Sequence, residues 1–166
     1  VKSIQYEGLR KLGDPLFFFN EYNNFFYEIL IIDTTASLFE KKINIELLRT
    51  LAKNKKIPLN YSGGINNIFD INNLLNNGCD KVTLNTHAIN NLDFLAEACE
   101  KFGSSTISVL IESKKINNNY ICHYKNGREE SKYAVNDWIK IIQNVGCGEI
   151  ILSSMDYDGT KLGPDY

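Results

Sequence analysis

The feature that most constrains this chain is the repeated exchange of one hydrophobic period for another. Short runs rich in β-branched residues fall at 28–34, 57–61, 81–85, 106–112 and 149–153. They are apolar nearly throughout, the pattern of strands covered on both faces. Stripes of helical spacing lie between them. The first is Ile43, Leu47, Leu48 and Leu51, and the second Ile68, Ile71, Leu74 and Leu75. Leu92, Leu95, Ala96 and Cys99 form a third, and Val135, Trp138, Ile139 and Ile142 a fourth. A period near two giving way repeatedly to one near 3.6 predicts βαβ units, a parallel sheet and an α/β fold. Asp14-Pro15 reads as a helix start, an N-cap followed by proline in the first turn. Ile116 to Arg128 interrupts the alternation. It reads as a short hairpin inserted after the fourth strand, within 114–132, with Asn117 to Asn119 as its turn. Trp138 and the aromatic cluster from Phe17 to Tyr27 read as core and helix–sheet packing.

A chain of 166 residues with 43% hydrophobic content can bury one core and is read as a single domain over 1–166. A net charge of −2 points away from nucleic-acid and membrane surfaces. No apolar run reaches the length of a membrane span, and the amino terminus lacks a signal-peptide pattern. Cys79, Cys99, Cys122 and Cys147 form no CxxC pair and read as reduced thiols of a cytoplasmic protein. With His87 and His123 the only histidines, a histidine-rich metal site is not expected, and no organic cofactor is indicated.

An internal echo sharpens the fold. Gly78-Cys79-Asp80-Lys81-Val82-Thr83-Leu84-Asn85-Thr86 lines up with Gly146-Cys147-Gly148-Glu149-Ile150-Ile151-Leu152-Ser153-Ser154. Each copy has a glycine ending a helix, charge entering a strand, and hydroxyls or an amide at the strand exit. Repeated βα units of this kind point to a barrel rather than an open sheet. Ligands of parallel α/β proteins bind where the strands' carboxyl ends converge. Gly63-Gly64, Asn85-Thr86 and Asp158-Gly159 stand at three such ends. Asp158-Gly159-Thr160 can bend tightly and offer backbone N–H groups to an anion, while Asp156 and Asp158 can accept from hydroxyls or move protons.

Several motifs follow one another in a specific order. They are Leu9-Arg10, Gly13-Asp14-Pro15, Ile32-Asp33-Thr34-Thr35-Ala36, Ser62-Gly63-Gly64-Ile65, the Gly78 to Thr86 segment, Phe102-Gly103-Ser104, and Gly148 through Thr160. Over essentially its whole length the chain resembles the cyclase subunit of imidazole glycerol phosphate synthase, a histidine-biosynthesis barrel. The resemblance implies a (β/α)8 TIM-type barrel, about 250 residues when complete. This chain would carry strands two to six with their flanking helices; the first and the last two strands would lie outside it. The implied partner is a glutaminase subunit, as a heterodimer. Its ammonia would pass through the barrel to a bis-phosphorylated ribulose intermediate, which is cleaved and cyclised to imidazole glycerol phosphate and an aminoimidazole carboxamide ribotide.

The resemblance also assigns residues. Of the family's two acid/base aspartates, the second falls on Glu112, and the first would precede Val1. Gly64, Asn85 and Thr86 match one phosphate corner, Asp158 and Gly159 part of the other, and Lys2 a mobile lysine covering the substrate. Glu28, Lys81 and Glu149 match an ammonia gate at the amino-terminal face, Asp80 a residue facing the glutaminase, and Asp33 with Ser153 the interior near the active end. Glu112 for aspartate, Ser62 for glycine, Tyr157 for arginine and Pro164 for tyrosine depart from the family pattern. Since catalytic groups need placement within roughly half an ångström, the longer arm of Glu112 opens two further readings. One is a paralogous ammonia-using subunit forming amidino sugars for surface polysaccharide. The other is a non-catalytic barrel binding phosphate or glutaminase. Residues 1–166 alone, without the first carboxylate and the closing strands, are expected to be inactive.

Overall fold

The computed structural model describes residues 4–11, 13–39 and 41–163. After a single 3-10 turn (Ile4–Tyr6) come α1 (Pro15–Tyr22), β1 (Ile29–Ile32), α2 (Ala36–Phe39), α3 (Ile45–Asn54), β2 (Leu59–Ser62) and α4 (Ile68–Asn76). Then follow β3 (Lys81–Leu84), α5 (Thr86–Asn90), α6 (Leu92–Phe102) and β4 (Ile107–Ile116). The rest is β5 (Asn119–Tyr124), β6 (Glu129–Ala134), α7 (Val135–Val145) and β7 (Glu149–Ser154).

The expected helix starts are capped in the expected way. Asp14 accepts from the Leu16 N–H at 2.9 Å, with proline filling the next position. The asparagine-rich composition supplies three more caps: Asn44, Asn67 and Asn91 accept from the Leu47, Asp70 and Phe94 N–H groups. Each such cap is worth about 1 kcal/mol.

β1, β2, β3, β4 and β7 are parallel and neighbour one another in chain order. Helices intervene between each pair, which is the progression of a (β/α) barrel in partial form. Among the described residues the sheet is not closed, and its two margins expose Ile32 and Leu152.

One face of the sheet makes the hydrophobic core. Leu59, Tyr61, Val82, Leu84, Ile107 and Val109 pack against Leu48, Ile71, Leu74, Leu95, Trp138 and Ile142 of the helices. Trp138 is buried there, stacked on Tyr133 with centroids 5.1 Å apart, as expected of a core aromatic. The other face corrects the expectation of strands apolar on both sides, because it carries Asn60, Thr83 and Ser108, all buried. Thr83 Oγ1 donates to Asn60 Oδ1 at 2.9 Å and lies 2.6 Å from Ser108 Oγ. The trio is tolerated because its members satisfy one another. Thr83→Val should therefore cost about 1–3 kcal/mol by leaving Asn60 short of a donor. A urea melt checks this, and an unchanged midpoint would contradict it.

Two other expectations need correction. Of the cluster from Phe17 to Tyr27 only Phe19 is buried; Phe17, Tyr22, Phe25, Phe26 and Tyr27 are half or more exposed. Helix α1 is two turns long and offers one inward stripe, Leu16 and Phe19, while the rest faces solvent. The insertion is also larger than one hairpin. β4 runs on past Glu112 to Ile116 and pairs antiparallel with β5, which pairs antiparallel with β6. The first turn is Asn117-Asn118, with φ of 48° and 64°, and Asn119 already belongs to β5. Two central residues at positive φ match the twist of a tight hairpin, and asparagine tolerates that conformation. The second turn, Lys125-Asn126, repeats the pattern with φ of 49° and 62°.

Candidate active site

The carboxyl ends of the parallel strands converge as their loops require. Asp33 N–H donates to the Ser62 carbonyl at 2.8 Å, pulling the β1 and β2 exits together. Ser62 itself lies in the extended strand, so serine is unstrained there. Gly63 follows with φ of 108°, and a Cβ on it would fall 2.3 Å from the Asp33 carbonyl oxygen. Only glycine permits that approach. Asp33 Oδ1 accepts from the Thr35 N–H, the Thr35 hydroxyl and the Ala36 N–H at 2.9–3.1 Å, fixing its own loop.

A cleft of about 130 Å³ opens between these exits, lined by Gly63, Gly64, Asn85, Thr86, Glu112 and Lys125 among others. The structure thus brings together Gly64, Asn85, Thr86 and Glu112, the four residues of this cleft to which the resemblance assigns roles. Glu112 lies one residue before the end of the parallel part of β4, where antiparallel pairing with β5 begins, and is 2% exposed. A buried carboxylate is costly unless hydrogen-bonded. Here Glu112 Oε2 accepts from Asn85 Nδ2 and from the Gly127 N–H, each at 3.0 Å. The second donor comes from the β5–β6 turn, which folds back over the β3 exit. Lys125 N–H closes the turn down by donating to Thr86 Oγ1 at 3.1 Å.

Asp158 and Gly159 line a separate cavity of about 650 Å³, with Ser113, Ser153 and Tyr157 and with Val135 and Ile139 of α7. Tyr6 reaches the β7 exit. Its Oη lies 2.8 Å from Ser153 Oγ, and burial, then the Glu112 charge, pushes its phenol well above the ordinary range, with Asp158 adding to the effect. Gln5 ties this segment to the β7 loop, its N–H donating to the Asp158 carbonyl at 2.9 Å and its side chain to the Asp156 carbonyl at 2.8 Å. Asp156 and Asp158 differ in use. Asp156 Oδ2 accepts from the Lys115 N–H at 2.8 Å and anchors the β4 extension, whereas Asp158 borders the cavity.

At the opposite, amino-terminal rim, Lys81 Nζ lies 2.7 Å from Glu28 Oε2 and 3.3 Å from Glu149 Oε2. The hydrogen bond to Glu28, helped by Glu149, holds this ammonium above the ordinary lysine range. Asn60 Nδ2 also donates to Glu28 at 3.0 Å, so the cluster runs straight into the buried polar trio. Asp80 stands on the same rim, half exposed. Its carboxylate accepts from the Leu59 N–H at 2.8 Å and pairs with Lys55.

Lys2 lies outside the described residues. Among the described residues, no group of three or more His, Cys, Asp or Glu side chains is placed to hold a metal ion, and no helix is long and apolar enough to cross a membrane. Sequence reasoning missed Tyr6, Lys125 and Gly127. Lys125-Asn126-Gly127 carried a turn signal, but nothing local revealed that this turn would fold onto Thr86, 39 positions away.

The family profile described as histidine biosynthesis protein matches residues 1–166. Among similar proteins, an imidazole glycerol phosphate synthase subunit HisF of Chlorobium phaeovibrioides is 39% identical over 166 residues, 99% of this chain and 66% of the relative. Proteins of the same name are 40% identical in Campylobacter concisus, over 98% of this chain and 65% of the relative, and 35% in Staphylococcus carnosus, over 100% and 66%. The chain spans about two thirds of the length of these curated relatives.

Proposed function

We propose, from the premise that this chain belongs to the histidine biosynthesis protein family, that it is the ammonia-using cyclase part of an imidazole glycerol phosphate synthase. The observation that carries this reading is Glu112. It is a buried carboxylate held by Asn85 and Gly127 in the same cleft as Gly64 and Thr86. A carboxylate fixed on one oxygen, beside glycine and hydroxyl donors suited to a phosphate, can move protons on a substrate anchored at that corner. Asp158 and Gly159 would receive the second phosphate.

Ammonia would enter at Glu28, Lys81 and Glu149 from a glutaminase seated on the amino-terminal rim. Ser108 pairs with Glu149 and lies four residues before Glu112 on β4, so the path to Glu112 is roughly 13 Å along the strand. Exposed Phe25, Phe26 and Tyr27 stand immediately before Glu28 and give that rim the aromatic surface that protein partners use. Asp80 lies on the same side.

The test is to supply the full-length protein with ammonium and the ribulose-phosphate intermediate. Imidazole glycerol phosphate is the expected product. Activity on an acetamido sugar alone would reject the reading in favour of amidino-sugar formation. Lys81→Ala tests the gate, because it leaves Glu28 and Glu149 facing each other without their cation. Glutamine-driven product formation should fall severalfold more than ammonium-driven formation. Equal losses would argue against a gate.

A further inference from the structure

Tyr6 has no assigned role in the site, yet it meets Ser153 and closes against Gly127, which holds Glu112. We propose that its hydroxyl is the positioning group for Glu112, completing a line from Ser153 through Tyr6 to the carboxylate and aiming that carboxylate into the cleft. The proposal rests on the reading of Glu112 as the proton-transferring group.

The direction of the line follows from donor chemistry. Ser153 is the β7 partner of Glu112 and its Oγ lies 2.8 Å from Tyr6 Oη, so the phenol stands beside the carboxylate, to which a phenol donates. Ser153 Oγ, 2.8 Å away, must then donate to Tyr6 Oη. Asn85 and Gly127 hold Oε2 of Glu112. The phenol would add a third donor, from a third segment. Three donors from three separate segments leave a carboxylate little freedom to rotate.

Tyr6 is itself held in place. It and Gln5 adopt φ of 63° and 51°, conformations that side chains other than glycine occupy at a cost. The two bonds of Gln5 to the Asp156 and Asp158 carbonyls fix that conformation. On the other side the Tyr6 ring closes against Gly127, where an added Cβ would come within 2.7 Å of Tyr6 Cδ1 and of Met155 Cε. The backbone strain therefore persists because contacts on both sides over-determine it. It places the phenol at Ser153, the β7 partner of Glu112.

The experiment compares the full-length parent with Tyr6→Phe, Glu112→Gln and the double variant. Phenylalanine keeps the ring packing and removes only the hydroxyl. Turnover should fall about tenfold, with KM unchanged, and the same change should add nothing once Glu112 is glutamine. A Tyr6→Phe protein with parental turnover, or losses that multiply in the double variant, would overturn the proposal.

A second readout does not need activity. The phenol carbon of Tyr6, followed by NMR in labelled protein, faces Glu112 of β4, Ser153 of β7 and Asp158 of the following loop. Its chemical shift at neutral pH should move in Glu112→Gln, because the acceptor of the phenol's hydrogen bond has changed. An unmoved shift would show that the pair is not in contact. A moved shift in Glu112→Gln, with a parent that forms no imidazole glycerol phosphate, would support the pairing and reject only the cyclase reading.

Discussion

Glu112→Gln should lower ammonium-driven turnover by about 10²–10⁴-fold, the usual loss when a general acid or base is removed, while leaving phosphate-ligand affinity and the melting temperature close to those of the parent. The reason lies in what surrounds the side chain. Its Oε2 takes hydrogen bonds from Asn85 Nδ2 and the Gly127 N–H. The amide oxygen of glutamine can accept both, so the hairpin stays docked and only the proton transfer is lost. Glu112→Asp is the informative companion. It restores the residue type the resemblance leads one to expect, yet it withdraws the carboxylate by one methylene from the Gly127 N–H. Turnover should therefore fall rather than rise. An aspartate variant more active than the parent would show that the long arm is a defect rather than a fit.

Gly63→Ala should destabilise the protein by more than about 3 kcal/mol, because a backbone clash and a disfavoured conformation act together. The new methyl carbon would lie 2.3 Å from the Asp33 oxygen and 3.0 Å from the Asp33 carbonyl carbon, at φ of 108°. Neither neighbour is the flexible end of a side chain. Relief requires parting the β1 and β2 exits, and with them the Asp33-to-Ser62 hydrogen bond. For a domain of this size the melting temperature should fall by roughly 10 °C, and Gly64 would leave the cleft. A loss below about 1 kcal/mol in a urea melt would show that the loops are not pressed together as described.

Much of this was legible in the chain because it is local. The order of parallel strands follows from the alternation of periods, and one helix start from Asp14-Pro15. Gly64, Asn85, Thr86 and Glu112 meet because each stands at the exit of a parallel strand, and barrel topology gathers those exits. What escaped the sequence is non-local or concerns faces. Thr83 and Ser108 look like ordinary members of apolar runs; that they share one face with Asn60 is visible only once the register is set. The aromatic cluster misled because density of aromatic residues is not burial, and a two-turn helix has room for only one inward stripe. Tyr6 and Gly127 reach Glu112 by loops whose paths no periodicity encodes.

The claim beneath the whole account is that one ligand with two phosphates spans the carboxyl rim, with Glu112 and Tyr6 between its ends. Amide NMR of the full-length protein, titrated with a bis-phosphorylated substrate analogue, tests it most directly. The signals of Gly64, Thr86, Gly127 and Gly159 should shift together along one saturation curve. Shifts confined to one corner, or clustered at Glu28, Lys81 and Glu149 on the opposite rim, would contradict it.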